Sequence, residues 1–163
     1  MILGMSLPVF TAFHVFISLA ALLVGFPLVA GMLKGREYPY VTPAFLALTT
    51  ATSVTGFLFP ATQLLPSHIT GIISLIVLGA AVAAHGPFKL QGAWRWIYVA
   101  CAITAFYLNM FVGVVQAFLK VPELNALAPS GSEPPFLAAQ IVVLTVFVAT
   151  GIIASKRFHP VQT

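Results

Sequence analysis

Five apolar stretches separated by short polar breaks make up most of this 163-residue chain. The central one, LPSHITGIISLIVLGAAVAAH from Leu65 to His85, sets about twenty apolar or small residues behind His68, enough for a helix to cross a bilayer. Read the same way, the chain gives spans at about 6–32, 42–60, 66–86, 94–119 and 135–155. The first is long enough to tilt, and Pro27 predicts a kink near its far end. The second is short and Thr-rich, with Pro43 in its first turn, and its length is only just sufficient. Between the last two, KVPELNALAPSGSEPPF is the longest hydrophilic segment. Its four prolines predict an ordered cap or turn rather than a helix. Residues 1–163 are thus expected to form one all-α transmembrane bundle, with no soluble domain and no internal repeat.

Composition sharpens this expectation. At 60% hydrophobic and 6% charged, the chain has too few charged groups to cover a water-facing surface. Its acids are Glu37, Glu123 and Glu133, with no aspartate, so carboxylate-pair chemistry and hard-cation cages have little to work with. The lone Cys101 lies inside a predicted helix and cannot form an internal disulfide. The first ten residues lack the basic start of a secretory signal, so the first apolar stretch is read as a true span.

Charge then orients the bundle. With five crossings, Lys34, Arg36, Lys89, Arg95, Lys156 and Arg157 fall on one side and Lys120 on the other. This asymmetry predicts a cytoplasmic C-terminus and an outside N-terminus, with Trp94, Trp96 and Tyr98 as interface anchors. The basic residues are read as orienting the chain in a lipid bilayer, not as binding nucleic acid.

Helical spacing gathers the intramembrane polar residues onto faces. Thr11, His14, Ser18, Ala21 and Gly25 form a seam on the first span, and Thr49, Thr52, Ser53 and Gly56 one on the second. His68 and Gly71 share a face of the third, whose Gly79 and Ala83 form a small-residue pair that admits another helix. The fourth lines up Ala102, Ala105, Asn109, Gly113 and Gln116, and the fifth carries Gln140. At 1.5 Å per residue, His14, His68, Gln116 and Gln140 lie roughly 10 Å from the outer ends of their spans, with Asn109 somewhat deeper. These five residues are expected to converge in a pocket in the outer half of the membrane. The inner half is expected to hold no comparable set, since His85 sits at a helix end and His159 in the tail.

Such a set can simply hold a bundle together through mutual hydrogen bonds, because unpaired amides and imidazoles are costly in hydrocarbon. It can also hold a ligand. His14 and His68 would serve as metal ligands or as the two axial ligands of a haem b, with Gly71 leaving room for the porphyrin. Met5, Met110 and Cys101 do not complete a copper or zinc site at any clear ligand spacing. A quinone is the other candidate, bonded by the imidazoles and amides and walled by Phe13, Phe57, Phe59, Tyr107 and Phe111. The competing class is a non-catalytic subunit or assembly factor whose small-residue seams dock a partner protein or a second copy. A proton or solute pathway would need ionisable groups across the whole bilayer.

FHVFISLAALLVGF, TSVTGFLFP, LPSHITGIISLIVLGAAVA and above all YLNMFVGVVQAFLKVPELNALAPSGSEPPFLAAQ resemble a group of small, uncharacterised bacterial inner-membrane proteins. That resemblance covers most of the chain and implies a bacterial, multi-pass inner-membrane protein. No activity is attached to the group. A looser likeness, carried by histidines on facing helices, is to small haem-b membrane proteins of the cytochrome b561 kind, which generally use more helical histidines than His14 and His68.

Overall fold

The computed structural model describes residues 1–61, 63 and 66–160, and among them regular structure is helical apart from one bridge between Ile2 and Met5. The order is α1 (Leu7–Leu33), α2 (Val41–Gly56), α3 (Pro66–His85), α4 (Ala93–Lys120), α5 (Pro122–Leu127) and α6 (Pro134–Arg157). Thr62, Leu64 and Leu65, in the expected link before the third span, and Val161, Gln162 and Thr163, at the end of the tail, lie outside the described residues.

In hydrocarbon no water satisfies the peptide groups, so long apolar runs close their hydrogen bonds internally as helices. α1, α3, α4 and α6 are long and apolar enough to cross a membrane. The second span departs from its expected limits. α2 ends at Gly56, and its 16 residues extend only about 24 Å against a hydrocarbon core of about 30 Å. The cause lies in Phe57 and Leu58, whose N–H groups bond the carbonyls of Val54 and Thr55 and so close the helix in tight turns.

Pro27 lies inside α1, which nonetheless continues for six more residues to Leu33. The proline-rich segment also departs from expectation, because it contains α5. Pro122 occupies the first turn of that helix, where a missing N–H costs nothing, and Asn125 donates from Nδ2 to the Phe118 carbonyl at 3.1 Å. Pro134 and Pro135 open α6 in the same manner. Glu133 precedes α6, but its carboxylate turns back and accepts from the Ser130 and Ser132 N–H groups at 3.0 and 3.1 Å.

α4 packs against every other helix. Its Phe106 is buried and packs edge-on to Phe26, Phe45 and Phe147. A Cβ on Gly25 would lie 2.4 Å from that ring, so only glycine lets α1 and α4 meet there. The small residues of the α1 seam split along its length: Ala21 and Gly25 are buried, whereas Thr11 is exposed and bonds back to the Leu7 carbonyl. Gly79 has no atom within 4 Å of a built Cβ, so its small-residue pair faces away from the chain's own helices.

One end of the bundle is tied across several elements. Arg95 donates to the carbonyls of Phe158 at 2.7 Å and Ser155 at 3.2 Å. Gly35, at φ +69°, leaves room for the Arg157 carbonyl, which would stand 2.9 Å from a Cβ. Lys89 and Leu90 adopt left-handed backbone in the α3–α4 turn, which the burial of Leu90 and the stacking of Phe88 on Trp94 at 3.7 Å hold in place.

Gly25→Ala is expected to cost about 1–3 kcal/mol by overpacking. In denaturant unfolding in detergent, the double variant with Phe106→Leu should cost less than the two single costs added; strict additivity would remove Phe106 as the cause. The backbone N–H groups, that of Ser130 first, hold the Glu133 carboxyl down at about 2 from an ordinary 4.5. The contribution of this turn is therefore complete above pH 4.5 and lost as pH falls toward 2. Protection of the Ser130 and Ser132 amides, each exchange rate taken relative to the intrinsic rate at the same pH, should fall over that window in the wild type and stay flat in Glu133→Gln.

Candidate functional site

The end of α2 is where aromatic and hydrogen-bonding groups from three helices come together. His14 arrives from α1, Thr55, Phe57 and Phe59 from α2 and the turn after it, and His68 and Gly71 from α3. His14 Nδ1 lies 2.7 Å from Thr55 Oγ1, and its ring meets the Phe59 ring edge-on at 5.2 Å.

The helix itself fixes the sense of that hydrogen bond. The Thr55 hydroxyl has one proton and gives it to the Ala51 carbonyl at 2.7 Å, one turn back. Its oxygen therefore accepts, and His14 Nδ1–H donates. In the neutral ring this leaves the lone pair on Nε2, which makes no hydrogen bond among the described residues. The arrangement is that of an imidazole oriented through one nitrogen and presented through the other.

His68 sits differently. Its ring stacks on Phe57 at 5.6 Å with 18° between the planes, and Phe57 also fills the space that Gly71 opens. A Cβ on Gly71 would stand 2.9 Å from the Phe57 ring. The room expected for a porphyrin is thus taken by a side chain of the chain's own. Among the described residues no group of three or more His, Cys, Asp or Glu side chains stands close enough to hold a metal ion, so the expected pair of His14 and His68 gains no third donor.

The expected convergence of five residues resolves into separate interfaces. His14 bonds Thr55 across α1 and α2, Asn109 donates to Thr49 at 3.2 Å across α2 and α4, and Gln140 donates to the Phe111 carbonyl at 3.2 Å across α4 and α6. Each of these three bonds a residue outside the set. Gln116 is exposed on α4. The expected aromatic wall divides likewise: Phe57 and Phe59 line the α2 end, Tyr107 and Phe111 pair beside α6, and Phe13 is exposed. Two buried acceptors near these pairs, Thr52 Oγ1 and Gln140 Oε1, have no partner among the described residues.

The opposite end holds a polar cluster that the sequence reading missed. Glu37, in the α1–α2 turn, meets His85 Nε2 at 2.5 Å, with side chains 24% and 31% exposed. Tyr98 packs beside His85 at 5.7 Å, is fully buried, and donates to Thr42 Oγ1 at 3.2 Å. The sequence did contain a signal for the first pair. Glu37 is the one acid amid Lys34 and Arg36, and antiparallel spans bring that loop to the end of α3 where His85 lies.

The chain matches no protein-family model, no curated protein and no solved structure.

The Glu37–His85 pair is more buried than a surface ion pair yet not sealed from water. A double-mutant cycle with Glu37→Gln and His85→Asn should give a coupling of about 1–2 kcal/mol in detergent unfolding. A coupling near zero would mean that the pair does not hold the α1–α2 turn to α3.

Proposed function

We propose that this is a five-crossing membrane protein that binds an amphipathic ring ligand, a quinone or its quinol, at the α2 end. The observation that carries the reading is His14: an imidazole within a membrane-crossing helix, oriented by Thr55 through Nδ1 and left with an acceptor lone pair on Nε2. A quinol hydroxyl donates to such a nitrogen, while Phe57 and Phe59 offer ring faces and edges to the ligand's ring. The same lone pair would suit a haem iron, but Phe57 stands in the space beside Gly71, so the quinone reading is preferred.

Connectivity supports the reading of five crossings. The Glu37–His85 contact brings the end of α1 and the end of α3 to one side, and α3 begins a membrane's thickness away. In this reading α2 is the second crossing and covers most of the distance. Lys34, Arg36, Lys89, Arg95, Lys156 and Arg157 at the tied end favour a cytoplasmic placement there, with the α2 end facing outward and, by the resemblance, in a bacterial inner membrane.

A second reading rests on a different observation. α6 buries only Gln140 and Ala154, and Gly79 on α3 faces open space, as expected of a non-catalytic subunit that docks other helices. Thermal shift and titration calorimetry of the purified chain in nanodiscs, with a short-tailed benzoquinone and its quinol as probes, separate the two. Binding of the quinol should weaken about tenfold in His14→Leu, the worth of one hydrogen bond, and hold in His159→Ala, while the quinone, which has no proton to give Nε2, should bind both variants alike. Equal quinol affinity in His14→Leu, or no binding of either probe by the wild type, defeats the quinone reading, and a Soret band in the purified protein would replace it with haem.

A further inference from the structure

Away from the α2 end, α4 and α6 leave a groove of about 440 Å³ between them. Its walls are apolar apart from Thr104, Tyr107 and Ser155, and Ala100 and Gly151 are its small lining residues, where larger side chains would narrow it. The groove begins at Trp96 and Ser155, at the tied end of the bundle, and stops at Tyr107 and Leu144. Those limits are eleven residues apart on each helix. At 1.5 Å per residue this is about 16 Å, close to half of a hydrocarbon core about 30 Å thick.

Depth and charge together select an occupant. A helix from another protein would run the full thickness of the bilayer, whereas this groove ends midway, where an acyl chain from one leaflet ends. At its mouth the Arg95 guanidinium lies 4.7 Å over the Trp96 ring and donates to the Ser155 carbonyl, and the exposed Lys156 stands beside Ser155 on the outer flank of α6. The nearest acid in the chain order of that end is Glu37, already engaged with His85; Glu123 and Glu133 belong to the segment between α4 and α6 at the other end. A cationic rim over a channel one leaflet deep matches a phosphate joined to a hydrocarbon tail.

We propose that the α4–α6 groove is a binding site for an anionic phospholipid, one acyl chain lying along Ala100, Ile103, Phe147 and Gly151 and the phosphate held by Lys156 and the Arg95 guanidinium. Trp96 reports on the mouth of the site and Ala100 on its lining. Neither residue belongs to the quinone reading, so the two stand or fall separately.

The test uses the full chain with Trp94→Phe, leaving Trp96 as the one tryptophan, in phosphatidylcholine nanodiscs. Phosphatidylglycerol brominated near the carboxyl end of its chains is compared with phosphatidylcholine brominated alike. Phosphatidylglycerol should half-quench Trp96 at about a tenfold lower mole fraction, as expected for cations of the rim acting on one headgroup. Ala100→Phe, at an exposed position that leaves the core untouched, should abolish the preference, and Ala100→Ser should keep it. Lys156→Gln should bring quenching by the two lipids close to equal, and Arg157→Gln, on the far face of α6, should keep the preference. Equal quenching in the parent, or a preference that survives Ala100→Phe, overturns the proposal. So does a cross-linked dimer that shields Trp96 from both lipids, which would give the groove to a second copy.

Discussion

The approach of α1 to α4 at Gly25 is the contact on which the rest of the bundle depends. Between helices in lipid there is little hydrophobic gain, since acyl chains are as apolar as leucine, so association rests on close packing and hydrogen bonds. Phe106 supplies the packing. Its ring lies where a Cβ of residue 25 would be and is enclosed by Phe26, Phe45 and Phe147 from three helices. With α1 seated on α4 there, the other helices take positions around α4, which touches each of them.

Polar groups then set the pairings one interface at a time. Ser53 donates to Ser74 across α2 and α3, Asn109 to Thr49 across α2 and α4, and Gln140 to the Phe111 carbonyl across α4 and α6. Each such bond is worth about 0.6 kcal/mol in a membrane interior, so no single one holds the fold and their distribution matters more than their strength. His14 belongs to this set and also stands apart from it. Thr55 uses its proton on α2 itself, so the histidine that it orients is left with an unused acceptor.

The two ends of the bundle differ in construction. At one, Arg95 ties α4 to the end of α6, Glu37 meets His85, and Gly35 packs on the Arg157 carbonyl, so that loops and helix ends are joined. At the other, α2 stops short, and aromatic rings rather than backbone fill the space between α1 and α3. A ligand competing for space displaces a side chain at the second end, but would have to break several ties at the first. The proposed quinone site lies at the second end and the proposed lipid site opens at the first.

Run length and composition, which add along the chain, were sufficient to predict an all-helical chain with apolar helices long enough to cross a membrane. Helical spacing also marked Gly25 and Asn109 as sharing a face with other small or polar residues. What it did not determine was the partner. A period of 3.6 residues says which side chains share a face, but not how far each helix is turned toward its neighbour, and lipid is indifferent to that rotation. So His14 met Thr55 and not His68, Phe57 entered the space beside Gly71, and Gln116 faced outward. Glu37 found His85 across 48 residues of chain. Those outcomes belong to packing in three dimensions, where one ring's volume decides which groups come within bonding distance.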